Sequence, residues 1–301
     1  MNSKRKVILV TGASTGIGYE TAIQLAADGN IVYAGARKAE DIKRLSFVEN
    51  ITGIQLDITK LEDINNAVSL ILKREGHVDV LINNAGVTGW GAIMDREMSY
   101  FRNVLEINYF GHVQMIQAFY PLLKKSTNNP IIINISSQAG NYAMPFWSAY
   151  HSSKWAMEAF SHCLRRELKP YGIRVSIIQP GAIKSDAFIK DTTVFEDYKQ
   201  IKNSDFVKYA VPVLEASFHR SPISKEKTPL LVVRDIRHAI YSKKARIYYQ
   251  PGRRLIPDLL FAKPSYKQID RIVAKLLKNS DSTCESHKLN IFFPSNTIRS
   301  L

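Results

Sequence analysis

Short apolar runs alternate with longer stretches of helical spacing along most of this chain. A chain with that rhythm folds as a parallel sheet covered by helices on both faces, because each parallel crossover lays a helix over the sheet. The strand-like runs fall at 6–11, 30–35, 53–56, 78–82, 130–135, 173–179 and 245–249. Helical spacing occupies 16–28, about 99–124, a stretch from Ser148 to about 169, 228–243 and 266–277. Thr59-Lys60-Leu61-Glu62 has the spacing of a capping box and starts a further helix, with Leu61, Ile64, Val68, Ile71 and Leu72 on its inner face. The expected fold is α/β, a doubly wound seven-stranded parallel sheet with helices on both faces. A chain of 301 residues is long enough for one such domain with a substantial core.

The first strand runs into Thr11-Gly12-Ala13-Ser14-Thr15-Gly16-Ile17-Gly18. Strand, glycine-rich turn, helix presents backbone N–H groups and a helix N-terminus to a diphosphate. Gly12 permits the tight turn, and carbon atoms without side chains let the backbone approach the ligand. An acidic residue at the end of the second strand would bind a ribose 2′-hydroxyl and select NAD(H). Here the stretch reads Ala34-Gly35-Ala36-Arg37-Lys38. No carboxylate stands there and two cations follow, and an arginine can fork onto a 2′-phosphate. NADP(H) is therefore the expected dinucleotide, with NAD(H) as the alternative.

Tyr150 and Lys154 are four residues apart in a helical stretch, so they share a face. A free phenol has a pKa of about 10, too high for efficient proton transfer at neutral pH. An ammonium fixed beside it stabilises the phenolate and lowers that value. The pair alone is weak, since a half-buried ring and a solvated lysine share this spacing. Its surroundings strengthen it. Ile131-Ile132-Ile133-Asn134-Ile135 is a buried-strand run ending in the hydroxyls of Ser136 and Ser137, and Asn83-Asn84-Ala85-Gly86 lies further upstream.

This set of motifs, in this order, resembles the single-domain type of the short-chain dehydrogenase/reductase family, with a Rossmann-type fold, over residues 5 to about 250. The resemblance implies that Tyr150 is the catalytic acid/base and that Lys154 binds the nicotinamide ribose and lowers the tyrosine pKa. The family's serine stands thirteen residues before its tyrosine, which selects Ser137 as the group holding the substrate oxygen. Asn108 matches the helix asparagine that anchors a water on a proton relay. The resemblance also implies cofactor contacts from Gly12, Ser14, Thr15, Gly16, Ile17, Gly18, Arg37 and Lys38. Asp57 matches an aspartate that accepts from the adenine amino group, helped by the Ile58 backbone, and Asn84, Ala85 and Gly86 pass beside the ribose and nicotinamide. Pro180, Gly181, Ile183 and Ser185 match the loop after strand six, where Ser185 replaces the usual threonine. Some NADP-using relatives carry a second basic residue where this chain has Thr15.

The wider resemblance points towards the hydroxysteroid and retinol dehydrogenase branch. That implies a small apolar alcohol or carbonyl substrate, bound by Ser137, Tyr150 and Met144 among pocket candidates Trp90, Met94, Tyr142, Phe146, Trp147 and Phe188. Residues 185–226 lose the strand–helix rhythm and are read as a lid over the site. The domain is expected to run over 1–278 with a C-terminal extension at 251–278, followed by a poorly ordered tail at 279–301. A homodimer or homotetramer is expected, without nucleic acid or metal.

Two other readings compete. Gly12-Ala13-Ser14-Thr15-Gly16 also satisfies the nucleophile-elbow pattern of hydrolases, with His151 or His162 as the base. Several strands normally precede such a serine, and here only one does. A dinucleotide-sensing module without catalysis is the other alternative, and the complete Asn, Ser, Tyr, Lys set argues against it.

Charge is uneven: residues 225–301 hold 16 basic and 6 acidic residues, against 25 and 21 before them. Arg253-Arg254-Leu255-Ile256-Pro257-Asp258-Leu259-Leu260-Phe261-Ala262-Lys263 sets apolar side chains between cations. It meets an anionic membrane peripherally, closes the pocket or a subunit interface, or binds an acidic protein partner. The two cysteines form no disulfide framework, and the first apolar run is too short for a signal peptide. A cytoplasmic protein is expected, with association at the cytosolic face of a membrane as the further alternative.

Overall fold

The computed structural model describes residues 5–181, 183, 198, 201, 203–219 and 228–252, without the side chains of 215–219. The expected helix at 266–277, the extension from 253 and the tail lie outside the described residues, as does most of the stretch read as a lid.

The strands are β1 (Val7–Val10), β2 (Ile31–Ala36), β3 (Ile51–Gln55), β4 (Val80–Asn83), β5 (Ile131–Ile135), β6 (Arg174–Ile178) and β7 (Tyr248–Tyr249). They form one sheet in the order β3-β2-β1-β4-β5-β6-β7, and every pair is parallel. The seven-stranded doubly wound sheet is therefore as expected. The helices are α1 (Gly16–Ala27), α2 (Ala39–Ser46), α3 (Leu61–Glu75), α4 (Met98–Leu105), α5 (Gly111–Lys125), α6 (Ser148–Leu168), α7 (Val207–His219) and α8 (Pro229–Tyr241).

The alternation of β1 shows why helices cover both faces. Ile8 and Val10 join Ala22 and Leu25 of α1 and Val232 and Ile236 of α8 in one core. Val7 and Leu9 point the other way, into a core with Ile64 and Ile71 of α3, Phe119 and Leu123 of α5, and Leu164 of α6. Fully burying each such aliphatic side chain contributes roughly 1.5–3 kcal/mol. Strand order reverses between β1 and β4, and that switch point opens the crevice in which α/β sheets bind ligands.

Three local features differ from the sequence reading. Helix α2 was not expected; its Glu40 and Asp41 stand in the first turn and Lys43 and Arg44 in the last, which suits the helix dipole. The expected capping box does not form: Lys60 is the N-cap without a side-chain cap bond. Thr59 turns back instead, its amide and hydroxyl both donating to Asp57 Oδ1. The long helix expected over 99–124 is interrupted by a π turn at Glu106–Phe110.

Candidate active site

The glycine turn after β1 is built by close backbone contact. Gly12 has φ +64°, and a methyl group added to it would stand 2.7 Å from Ala85 Cα. One added to Gly18 would lie 2.3 Å from the Gly12 carbonyl oxygen. Asn84 locks the arrangement: its Nδ2 donates to Thr11 O at 2.9 Å and to Gly12 O at 3.0 Å. Thr11 Oγ1 accepts from the amides of Asn84 and Ala85. Gly16 opens α1, Thr15 is its N-cap without a side-chain cap bond, and Ile17 packs against the core. The cradle fits a diphosphate on its backbone donors.

At the outer end of the crevice, Arg37 is exposed just after β2 and acts on the Asp57 carboxyl. Burial pushes that carboxyl up, but the two Thr59 bonds, then Arg37 and Lys60, outweigh it and hold it below its usual value. Lys38 pairs with Glu40 at 3.5 Å, both well exposed. Arg44 of α2 is an addition that the sequence did not reveal. It donates to Ser14 O at 2.6 Å and to Asp41 at 2.8 Å, and lies 5.3 Å from the Tyr19 ring centre. A cation thus stands at the turn where Thr15 supplies none. Ile58 is buried, with its side chain against Gly111 below the π turn.

At the inner end, α6 carries Tyr150 and Lys154. The ammonium lies 5.7 Å from the centre of the Tyr150 ring and donates to Ile135 O at 3.1 Å. Burial lowers the Lys154 pKa to about 8, with Glu158 acting in the opposite direction. Asn108, in the π turn, is fully buried; its Oδ1 accepts from Val87 N, and its Nδ2 donates to Val87 O and Ser153 Oγ. Gly86 joins the two: a methyl group there would be 3.2 Å from Asn108 Oδ1 and 4.0 Å from Lys154 Nζ. Ser137 follows β5 and starts a short 3-10 turn, Gln138–Gly140, its Oγ accepting from Ala139 N. Gln138 N donates to Pro180 O and Gly181 N to Pro251 O, so the loop after β6 is held beside that turn. Ile183 is buried, and Ser185 lies outside the described residues.

His112 and Glu158 were also not found from the sequence. His112 is buried behind the Asn84–Gly86 stretch, its Nε2 2.8 Å from Ala85 O. Burial first and Lys154 second depress its pKa to about 3. Glu158 stands one turn beyond Lys154 and is likewise buried. A repeat of four from Tyr150 through Lys154 would have found it; nothing in the sequence marks His112.

The pocket candidates divide. Trp90 is buried with Tyr198, Ala210 and Leu214, and Phe146 and Trp147 pack against that cluster. Trp147 lies edge-on to Tyr150, their ring centres 6.2 Å apart. Met144 is half-buried in the segment leading to α6, where its carbonyl accepts from Trp147 N. Tyr142 O accepts from the Trp155 indole. Met94 is 78% exposed, and Phe188 lies outside the described residues. His151 Nδ1 faces the carbonyls of Ala139 and Tyr142, and His162 contacts Tyr248, so the bases imagined for a Ser14 hydrolase are engaged elsewhere.

The model of the short chain dehydrogenase family matches residues 6–193. The chain belongs to the short-chain dehydrogenase family. It is 36% identical over 200 residues to dehydrogenase/reductase SDR family member 7B of Xenopus tropicalis, covering 62% of this chain and 64% of that protein. It is 33% identical over 279 residues to estradiol 17-beta-dehydrogenase 2 of Mus musculus, covering 83% and 68%. The crystal structure of a short-chain dehydrogenase from Streptomyces avermitilis superposes with a TM-score of 0.72 at 26% identity, covering 94% of this chain and 99% of that one. The chain thus spans somewhat less than two thirds of the frog relative. In this short-chain dehydrogenase Asn108 stands in the π turn, Ser137 just after β5, and Tyr150 and Lys154 on α6.

Proposed function

We propose that this short-chain dehydrogenase is an NADP(H)-dependent oxidoreductase that interconverts a carbonyl and an alcohol on an apolar, steroid-, retinoid- or lipid-like substrate. The observation that carries the reading is the buried Lys154 ammonium held 5.7 Å from the Tyr150 ring centre, between Gly86 and the end of β5. The dinucleotide, when bound, supplies or takes the hydride. Tyr150 gives the substrate oxygen its proton in reduction and takes it back in oxidation. Lys154 stabilises the phenolate that forms, and Ser137 Oγ hydrogen-bonds the same oxygen. Asn108 holds the Val87 backbone and Ser153, which keeps the wall of the site in register with α6. Apolarity of the substrate is supported by the Trp90 and Tyr198 cluster with Phe146 and Trp147, which lies beside Tyr150.

Selection of NADP(H) is supported by Arg37 at the end of β2, by the lack of a carboxylate at Ala36, and by Arg44 at the Ser14 turn. Assembly as a homodimer or homotetramer belongs to the same proposal, and light scattering would read it. The deciding experiment is an NADPH-consumption screen over steroids, retinoids, fatty aldehydes and sugars, with NADH in parallel. Turnover of an apolar carbonyl with NADPH is the expected result; turnover confined to sugars, or equal use of NADH, would overturn the corresponding part.

A further inference from the structure

Tyr150, Lys154 and Glu158 follow one another at intervals of four on α6 and share a face. The third has no part in the chemistry above. Lys154 is 5% and Glu158 9% exposed, so two ionisable groups are buried one turn apart. Buried ions are costly unless each answers the other. Lys154 spends its hydrogen bond on a neutral carbonyl, Ile135 O. His112, from α5, faces it as a neutral ring, and Asn108 approaches from the π turn through Gly86. Among the described residues, the negative charge that acts on the lysine is that of Glu158, one turn further along α6.

Glu158 is fixed by its packing. A methyl group added to Gly140 would lie 2.7 Å from Glu158 Cγ and 3.2 Å from Lys154 O, so the turn that begins at Ser137 closes directly onto this part of α6. Burial holds the Glu158 carboxyl above its usual value; Ser136 and Gln179, and then Lys154, act towards the charged form without cancelling it. Gln179 is itself held by Gln250, whose Nε2 donates to its Oε1 at 2.8 Å. Tyr248 of β7 completes the surroundings, its phenol pushed up by burial and then by Glu158. Yet Glu158 Oε1 and Ser136 Oγ are both buried without a hydrogen-bond partner, so Ser136 offers a nearby dipole and not a closed bond. A buried carboxylate oxygen left in that state needs a reason, and the Lys154 ammonium is buried one turn away on the same helix face.

We propose that Glu158 is a positioning residue that keeps the Lys154 ammonium charged and aimed at Tyr150 from a seat between the Ser137 turn and the end of β6. The proposal rests on the reading of Lys154 as the electrostatic support of Tyr150. Its test reads the lysine directly. The free protein is labelled with lysine carrying ¹³C at Cε, Lys154→Met assigns the buried resonance, and its titration is followed by NMR. Wild type is expected to titrate near 8. Glu158→Gln keeps the shape and loses the charge, and should lower the Lys154 midpoint by about one unit, the size expected for a nearby opposite charge. Glu158→Asp should fall between the two. With a substrate in hand, the alkaline limb of kcat/KM for reduction should move to lower pH in Glu158→Gln by the same amount. An unmoved Lys154 titration in Glu158→Gln means that Glu158 only fills space, and overturns the proposal. Should Glu158→Gln fail to fold, Glu158→Ala takes its place, and an unmoved titration there does the same. Turnover by Tyr150→Phe is measured beside these. Full turnover there would refute the tyrosine mechanism while leaving the lysine titration as a separate result.

Discussion

Removing one oxygen atom from Tyr150 tests the chemistry most sharply. Tyr150→Phe keeps the ring that packs edge-on to Trp147, so the fold and cofactor affinity should stay close to wild type. Turnover should fall by about 10²–10⁴-fold, the usual contribution of a general acid/base; near wild-type turnover on the true substrate would refute the assignment. Lys154→Ala should lower turnover and cofactor affinity together. At the other end of the crevice, Arg37→Ala should weaken NADP binding by about ten- to a hundredfold, since a hydrogen bond to a charged group contributes roughly 1.5–3 kcal/mol. NAD binding should barely change, and equal losses for both cofactors would show that Arg37 does not read the 2′-phosphate. The Tyr150–Lys154 spacing and the glycine turn were legible in the sequence because each is set by local geometry: four residues on a helix, a glycine turn between strand and helix. His112 and Arg44 were not, and Glu158 was marked only as the next repeat of four after Lys154. Each looks like an ordinary helix residue until tertiary packing buries Glu158 and His112 and swings Arg44 onto the Ser14 carbonyl.

At the scale of elements, α5 and the π turn before it hold the inner site from behind. His112 stands in the first turn of α5, with Nδ1 buried and without a hydrogen-bond partner while Nε2 faces Ala85 O. Protonation would bury an unpaired N–H beside the Lys154 ammonium, which is why the folded pKa lies near 3, below the 6.5 of a free imidazole. Between those values the unfolded chain binds the proton and the folded chain does not, so stability rises with pH and is lost as pH falls from 6.5 towards about 3. The slope from this one site is at most about 1.4 kcal/mol per pH unit. His112→Gln keeps a donor for Ala85 O and cannot titrate. Denaturation midpoints should show the difference between wild type and His112→Gln narrowing steadily below pH 6.5; a constant difference would mean that His112 does not stay neutral. The same elements show where sequence reading stops. Strands and long helices were legible because period-2 and period-3.6 patterns survive in the sequence. The π turn was not, because inserting one residue into a helical turn leaves the apolar spacing on either side nearly intact. Helix α2 was missed because its face towards the sheet is short, with Leu45 as its buried residue.

For the molecule as a whole, the uneven charge separates the catalytic body from the C-terminal quarter, which carries 16 of the 41 basic residues. Among the described residues no helix is long and apolar enough to cross a membrane. The sequence after Gly252 instead places Leu255, Ile256, Leu259, Leu260, Phe261 and Ala262 between Arg253, Arg254 and Lys263, and continues with Lys267, Arg271, Lys275 and Lys278. Such a composition suits apolar side chains entering the headgroup boundary with cations on anionic lipid. Each Lys or Arg near that surface contributes about 1 kcal/mol, less as salt rises. The apolar substrate proposed above would give peripheral binding a use, since such substrates partition into bilayers. The protein is therefore expected to sediment with anionic vesicles at low salt, to be released at high salt, and to ignore neutral vesicles. A chain ending at Gly252 is the control. If it folds and sediments as well as the full chain, the segment does not bind lipid. If neither sediments, the apolar residues serve the pocket or a subunit interface, which a change in oligomeric state on truncation would reveal.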